Sequence, residues 1–172
     1  MTSELLGRAL VEEATKKSGL IWVQGTGPVR ALWHVWHDGA AHLVGDGPGE
    51  QPLPGLADGG TARVTVRSKD KGGRLVVWTA TVTELAPESP DWQAVAAELK
   101  GKRLNAPDGE AVTERWAREC RVLRLDPQSS TTDFAPASGA APPLPTAATT
   151  RNPLPAALPR LLLSRRGRSR RP

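Results

Sequence analysis

The spacing of hydrophobic positions changes several times along the chain, and each change predicts an element. In ELLGRALVEEATKK (residues 4 to 17), Leu5, Leu6, Ala9, Leu10 and Ala14 share one helical stripe, with Ser3 as cap and Gly19 as stop. That pattern predicts an amphipathic helix that docks through this stripe. LIWVQ (Leu20 to Gln24) then reads as a short strand. In ALWHVWHDGAAHLV (Ala31 to Val44), Asp38-Gly39 separates two β-rich runs and predicts a two-residue hairpin loop, because a type I′ turn needs φ > 0 at both central positions. His37 then faces Ala40, Trp36 faces Ala41, Val35 faces His42, His34 faces Leu43 and Trp33 faces Val44. Alternation puts Leu32, His34, Trp36, Ala41 and Leu43 on one face and Trp33, Val35, His37, Ala40, His42 and Val44 on the other.

The stretch GDGPGEQPLPGLADGG (Gly45 to Gly60) is too punctuated for regular structure. TARVTVRS (Thr61 to Ser68) and RLVVWTATVTEL (Arg74 to Leu85) alternate cleanly and predict antiparallel strands across KDKGG. SPDWQAVAAELKG (Ser89 to Gly101) predicts a helix with Ser89 as cap, Trp92, Val95 and Leu99 on one face, and Gly101 as stop. GEAVTERWAREC (Gly109 to Cys120) predicts another, with Val112, Trp116 and Cys120 aligned. RVLRL (Arg121 to Leu125) returns as a strand, and Pro127 closes a domain of residues 1–127. Residues 128–172 hold eight of the sixteen prolines among Ala, Ser and Thr, which predicts a disordered tail ending in SRRGRSRR. The order of one helix, about five strands, two helices and a final strand predicts an α+β, mainly β fold: an antiparallel barrel with flanking helices.

Charge separates these two parts. The chain carries +5 overall, but residues 128–172 contain seven Arg and one Asp, leaving sixteen basic and seventeen acidic residues in 1–127. The domain itself is therefore near neutral, which argues against nucleic-acid binding by it; the tail could meet phosphate-rich partners through its charge. One Cys, Cys120, excludes an internal disulfide and suits a reducing compartment. There is no basic start followed by an apolar run and no apolar stretch of about 20 residues, so a cytoplasmic protein without signal peptide or membrane span is expected.

Candidate chemistry is sparse. No nucleophile motif, P-loop, HExxH or paired-carboxylate pattern is present. His37 and His42 are diagonal neighbours roughly 7 Å apart at the backbone, but no third metal ligand joins them. Cationic and hydroxyl side chains gather at one strand end: Arg67, Ser68, Lys69, Lys71 and Arg74 flank Gly72-Gly73. Arg63, Thr65, Arg67 and Lys69 share one strand face, leaving Val64 and Val66 for the core. Such a group with a Gly-containing turn can cradle a phosphate, or it can be a solvated hairpin tip. Six Trp supply nearly all the aromatic area. Trp92 and Trp116 have core spacing on helices, whereas Trp33, Trp36 and Trp78 sit on strands, where a flat ring could stack.

With its opening helix, PVRALWHVWHDGAAHLV, TARVTVRSK, RLVVWTATVTEL and RWARECRVLRLDP, the region from about 4 to 127 resembles the pyridoxamine 5′-phosphate oxidase-like, FMN-binding split-barrel proteins. The resemblance implies a six-stranded split barrel, a homodimer, and an FMN in each of two interface clefts; F420 or heme serves some relatives. It implies Arg67, Ser68 and Lys69 as phosphate binders, Lys71 or Arg74 as accessory, Trp33 or Trp78 near the ring, and Gln51 as a hydrogen-bonding residue. It implies a flavin-dependent oxidoreductase acting on a small molecule; the alternative is a non-catalytic barrel that binds a ligand or partner and is tethered by its basic tail. GPGEQPLPGL departs from the family pattern, with Glu50 where positive charge would favour a phosphate.

Overall fold

The computed structural model of the protein describes residues 2–67, 74–128 and 133–134. Its strands are β1 (Leu20–Gln24), β2 (Arg30–Trp33), β3 (Val35–His37), β4 (Ala40–Gly45), β5 (Thr61–Arg67), β6 (Arg74–Glu84), β7 (Arg121–Pro127) and β8 (Asp133–Phe134). Its helices are α1 (Thr2–Lys17), α2 (Pro90–Lys102) and α3 (Val112–Glu119), the last entered through a 3-10 turn at Gly109–Ala111. All strand pairs are antiparallel, in the order β2-β1-β5-β6-β7-β4-β3, with β8 pairing β6.

That order explains the closure. β2 and β3 stand at opposite ends of the sheet yet only His34 separates them in sequence, so the sheet must curl until its ends meet in a nearly closed barrel. Here the structure differs from the expected continuous hairpin. His37↔Ala40, Trp36↔Ala41 and Val35↔His42 pair as the Asp38-Gly39 turn dictates, both turn residues having positive φ (45° and 72°). Trp33 pairs Leu20 of β1 instead of Val44. Its backbone N–H and C=O are taken by the Gln51 side chain, which frees the strand to change partners at His34.

Period two sets the faces as expected. Ile21, Val23, Leu32, Leu43, Val64, Val66, Trp78, Val82, Leu123 and Leu125 fill the barrel. On the opposite side of the β3-β4-β7 wall, Val35, Val44 and Val122 meet Trp92, Val95, Leu99, Val112 and Trp116 of α2 and α3. Ser89 caps α2 by accepting from the Trp92 N–H at 3.2 Å, while the helix runs through Gly101 to Lys102.

The first helix docks on a different stripe from the one expected. Gly7, Val11, Thr15 and Ser18 are buried, whereas Leu5, Leu6 and Leu10 are 68%, 71% and 41% exposed. Small residues let the helix approach closely, and His34 Nε2 bonds the Thr15 carbonyl at 2.9 Å. Beyond Pro127 the Gln128 N–H donates to the Thr79 carbonyl, and β8 pairs Val76 and Val77 of β6. The expected disorder of the remaining tail concerns residues outside the described ones.

Candidate functional site

The outer face of β1 and β5 carries a hollow lined by cationic, polar and aromatic side chains. Since Ile21, Val23, Val64 and Val66 point into the barrel, their neighbours Trp22, Gln24, Arg63, Thr65 and Arg67 point out. Trp22 lies directly across from Thr65 and Gln24 across from Arg63. The β5–β6 register shifts between Val66 and Arg67, a bulge that re-aims the last side chain of the strand. The Arg67 guanidinium lies over the Trp22 ring, 4.4 Å from its centroid. These five side chains and Val29 line a hollow of about 170 Å³.

Its rim depends on a close backbone contact. A Cβ on Gly25 would lie 2.0 Å from the Gly55 carbonyl oxygen, and the Thr26 N–H donates to that same oxygen at 3.0 Å. Only glycine lets the loop before Val29 seat there. Electrostatically the face is one-sided, because β1, β2 and β5 contain no acidic residue. Two guanidinium groups, a hydroxyl, a carboxamide and an indole face can bind an anion attached to a flat ring.

The expected site residues scatter. Arg67 sits in the hollow, and Arg74 pairs across from it at the start of β6. Ser68, Lys69 and Lys71 lie outside the described residues. Trp78 does not reach this surface: it is fully buried inside the barrel, edge-on to Trp36 at 6.4 Å between ring centroids. Trp33 packs against the α2–α3 cluster. Gln51 has a structural task, its amide bonding Trp33 N and O at 2.9 Å each and the Val44 carbonyl at 3.1 Å, so it has little left for a ligand. Sequence reading passed over Trp22, Gln24 and Val29, although period two in LIWVQ already turns Trp22 away from the core.

Glu50 is not a repulsive charge beside a ligand. Its carboxylate is fully buried and accepts from Arg103 Nε (3.1 Å), Arg115 Nη2 (3.0 Å) and Trp116 Nε1 (3.1 Å). Arg115 also pairs with Asp108 at 2.7 Å, and that hydrogen bond holds the Asp108 carboxyl below its ordinary range. The network fastens the Gly45–Gly60 segment to α2 and α3.

The histidines are scaffold as well. Burial pushes His34 down to about 4, despite its bond to Thr15. His42 is fully buried with neither ring nitrogen hydrogen-bonded, and burial followed by the nearby Arg124 and His37 lowers it to about 4. His37 is tied through Nδ1 to Glu98 of α2 at 2.6 Å. Among the described residues no group of three or more His, Cys, Asp or Glu can hold a metal ion, and no helix is long and apolar enough to cross a membrane.

No family model matches the sequence, and no curated protein matches it. Solved structures do match in fold. The heme storage protein HutZ from Vibrio cholerae superposes with a TM-score of 0.51 at 11% identity, covering 72% of this chain and 91% of that one. An F420 reductase (TM-score 0.49, 14% identity, 71% and 94% covered) and an FAD and heme binding protein from Mycobacterium smegmatis (0.48, 15%, 88% and 93%) also align. With its antiparallel strands in a nearly closed barrel and helices against one wall, the chain has a split-barrel fold similar to that of HutZ.

Proposed function

We propose that this protein binds a flavin-type cofactor bearing a phosphate, FMN or the deazaflavin F420, on the outer face of β1 and β5, and serves in redox chemistry on a small molecule. The carrying observation is the acid-free row Arg63, Thr65 and Arg67 beside the Trp22 ring. The arginines supply charge-assisted donors for the phosphate, and the indole supplies a platform for the ring system. When bound, the cofactor supplies hydride or electron transfer, while the protein anchors and orients it. Heme propionates would meet the same arginines, but the six lining residues include no His, Cys, Met or Tyr to ligate iron. The flavin reading is therefore favoured.

At about 170 Å³ the hollow is smaller than the roughly 300 Å³ at which small-molecule sites begin. Leu20 and Val29 on the same side are 51% and 44% exposed. A second copy seated there would cover this apolar surface and complete the cleft, so we propose a homodimer.

The test is an absorbance spectrum of the purified full chain from 300 to 600 nm, repeated after incubation with FMN, F420 or hemin and desalting. Retained flavin or deazaflavin bands that are lost in the Arg63→Ala/Arg67→Ala double variant support the assignment. Retention of hemin alone, or of nothing, overturns it. Light scattering of the eluted protein at twice the chain mass is expected for the dimer; a monomer that still retains the flavin would overturn that part alone.

A further inference from the structure

Arg67 makes an unusual use of its charge. Among the described residues it has no ion-pair partner, and its guanidinium lies against the ring face of Trp22 instead. Among the described residues Trp22 is the only aromatic side chain lining the hollow, so a ligand ring that stacks there needs the surface that the guanidinium covers. A guanidinium and a second ring cannot both lie at stacking distance on one indole face.

Resting on the flavin reading above, we propose that Arg67 is a two-position residue: it covers Trp22 in the ligand-free protein and turns to the ligand phosphate when a ring takes its place. The energetics favour the exchange only for an anionic ligand. A cation–π contact at an exposed site is modest, equivalent to about a two- to fivefold effect on affinity. A charge-assisted bond to phosphate is larger, equivalent to about ten- to hundredfold. A ring without phosphate must displace Arg67 and offers nothing in return. Arg67 thus acts as a selectivity residue, opposing uncharged rings and favouring phosphorylated ones.

Riboflavin and FMN differ only in the phosphate and are the natural probes. Removing Arg67 should act in opposite directions on the two. In the Arg67→Ala variant, FMN affinity should fall about tenfold or more, whereas riboflavin affinity should hold or rise by up to about fivefold. Arg67 is exposed on a strand end, so the variant is expected to fold as the wild type does. Equal weakening of both ligands, or no change in either, overturns the proposal while leaving the flavin reading intact, provided the wild type binds FMN. A wild type that binds neither ligand removes the flavin reading and the exchange together.

The ligand-free half has its own readout. Arg67→Ala should change tryptophan emission in the Trp22 background, and the same substitution should be silent in Trp22→Phe. An emission change that persists in Trp22→Phe would show that Arg67 acts elsewhere and overturn the proposal irrespective of any ligand.

Discussion

Arg103 and Arg115 lie against Glu50 and Asp108 beneath α2 and α3, whereas Arg63 and Arg67 stand on a sheet face whose strands contain no acidic residue. The side chains are chemically the same, and their surroundings differ. In the first cluster every charge is answered, the Glu50 carboxylate accepts three donors, and the carbonyls of Pro48 and Gly49 take further bonds from Arg115 and Arg103. Such a cluster has no capacity left for a ligand and holds a loop in place. In the second, two guanidinium groups at a solvent-facing hollow have no ion-pair partner among the described residues. A candidate anion site is marked by missing counter-charge, not by the number of arginines.

This contrast breaks most sharply at Glu50. Glu50→Ala leaves two guanidinium groups and the Trp116 N–H facing a void, and unfolding stability should fall by about 3–5 kcal/mol in urea titrations. A loss below about 1 kcal/mol would mean that water replaces the carboxylate and that the cluster is not scaffold. Next in size is Gln51→Ala, which strands the Trp33 backbone groups where the chain passes from β2 to β3. It should cost about 2–3 kcal/mol. Cofactor affinity should not change, and a selective loss of affinity without loss of stability would return Gln51 to the ligand site.

Acid probes the buried side without mutation. His34 and His42 fall to about 4 in the folded state from an ordinary value of 6.5, so between those values the unfolded chain binds more protons. Their contribution is therefore present above about pH 6.5 and is lost as pH falls toward 4. From pH 7 to pH 5 the unfolding free energy should drop by about 2 kcal/mol per histidine, and His42→Leu should remove about half of that dependence. A flat stability profile over this range would show that the two rings are hydrated. The smallest effect belongs to the open face: Arg63→Ala and Arg67→Ala should each change stability by less than about 0.5 kcal/mol while weakening a phosphate-bearing flavin. A large stability loss there would place these arginines with the scaffold and dissolve the contrast.

Local chemistry made much of this molecule legible. Asp38-Gly39 dictates its turn because both residues tolerate positive φ, and the three pairs next to it follow without further information. Alternation in TARVTVR and LIWVQ separates inner Val and Ile from outer Arg, Thr and Trp, since a strand has only two faces. Ser89 caps α2 through a bond that spans three residues. In each case the cause and its effect are neighbours in the chain.

What the tertiary structure decided involves partners far apart in sequence. The stripe of α1 that docks was settled by the small residues Gly7, Val11 and Thr15 fitting the barrel, leaving the more hydrophobic leucines outside. The split between β2 and β3 depends on Gln51, eighteen positions beyond Trp33. Glu50 changed from an apparent obstacle to a buried anchor because Arg103 and Arg115 arrive from 53 and 65 positions away. Periodicity assigns each side chain a face, but the partners it meets across space depend on how the sheet curls and where the helices land, and those partners decide whether a charge builds the scaffold or remains available to a ligand.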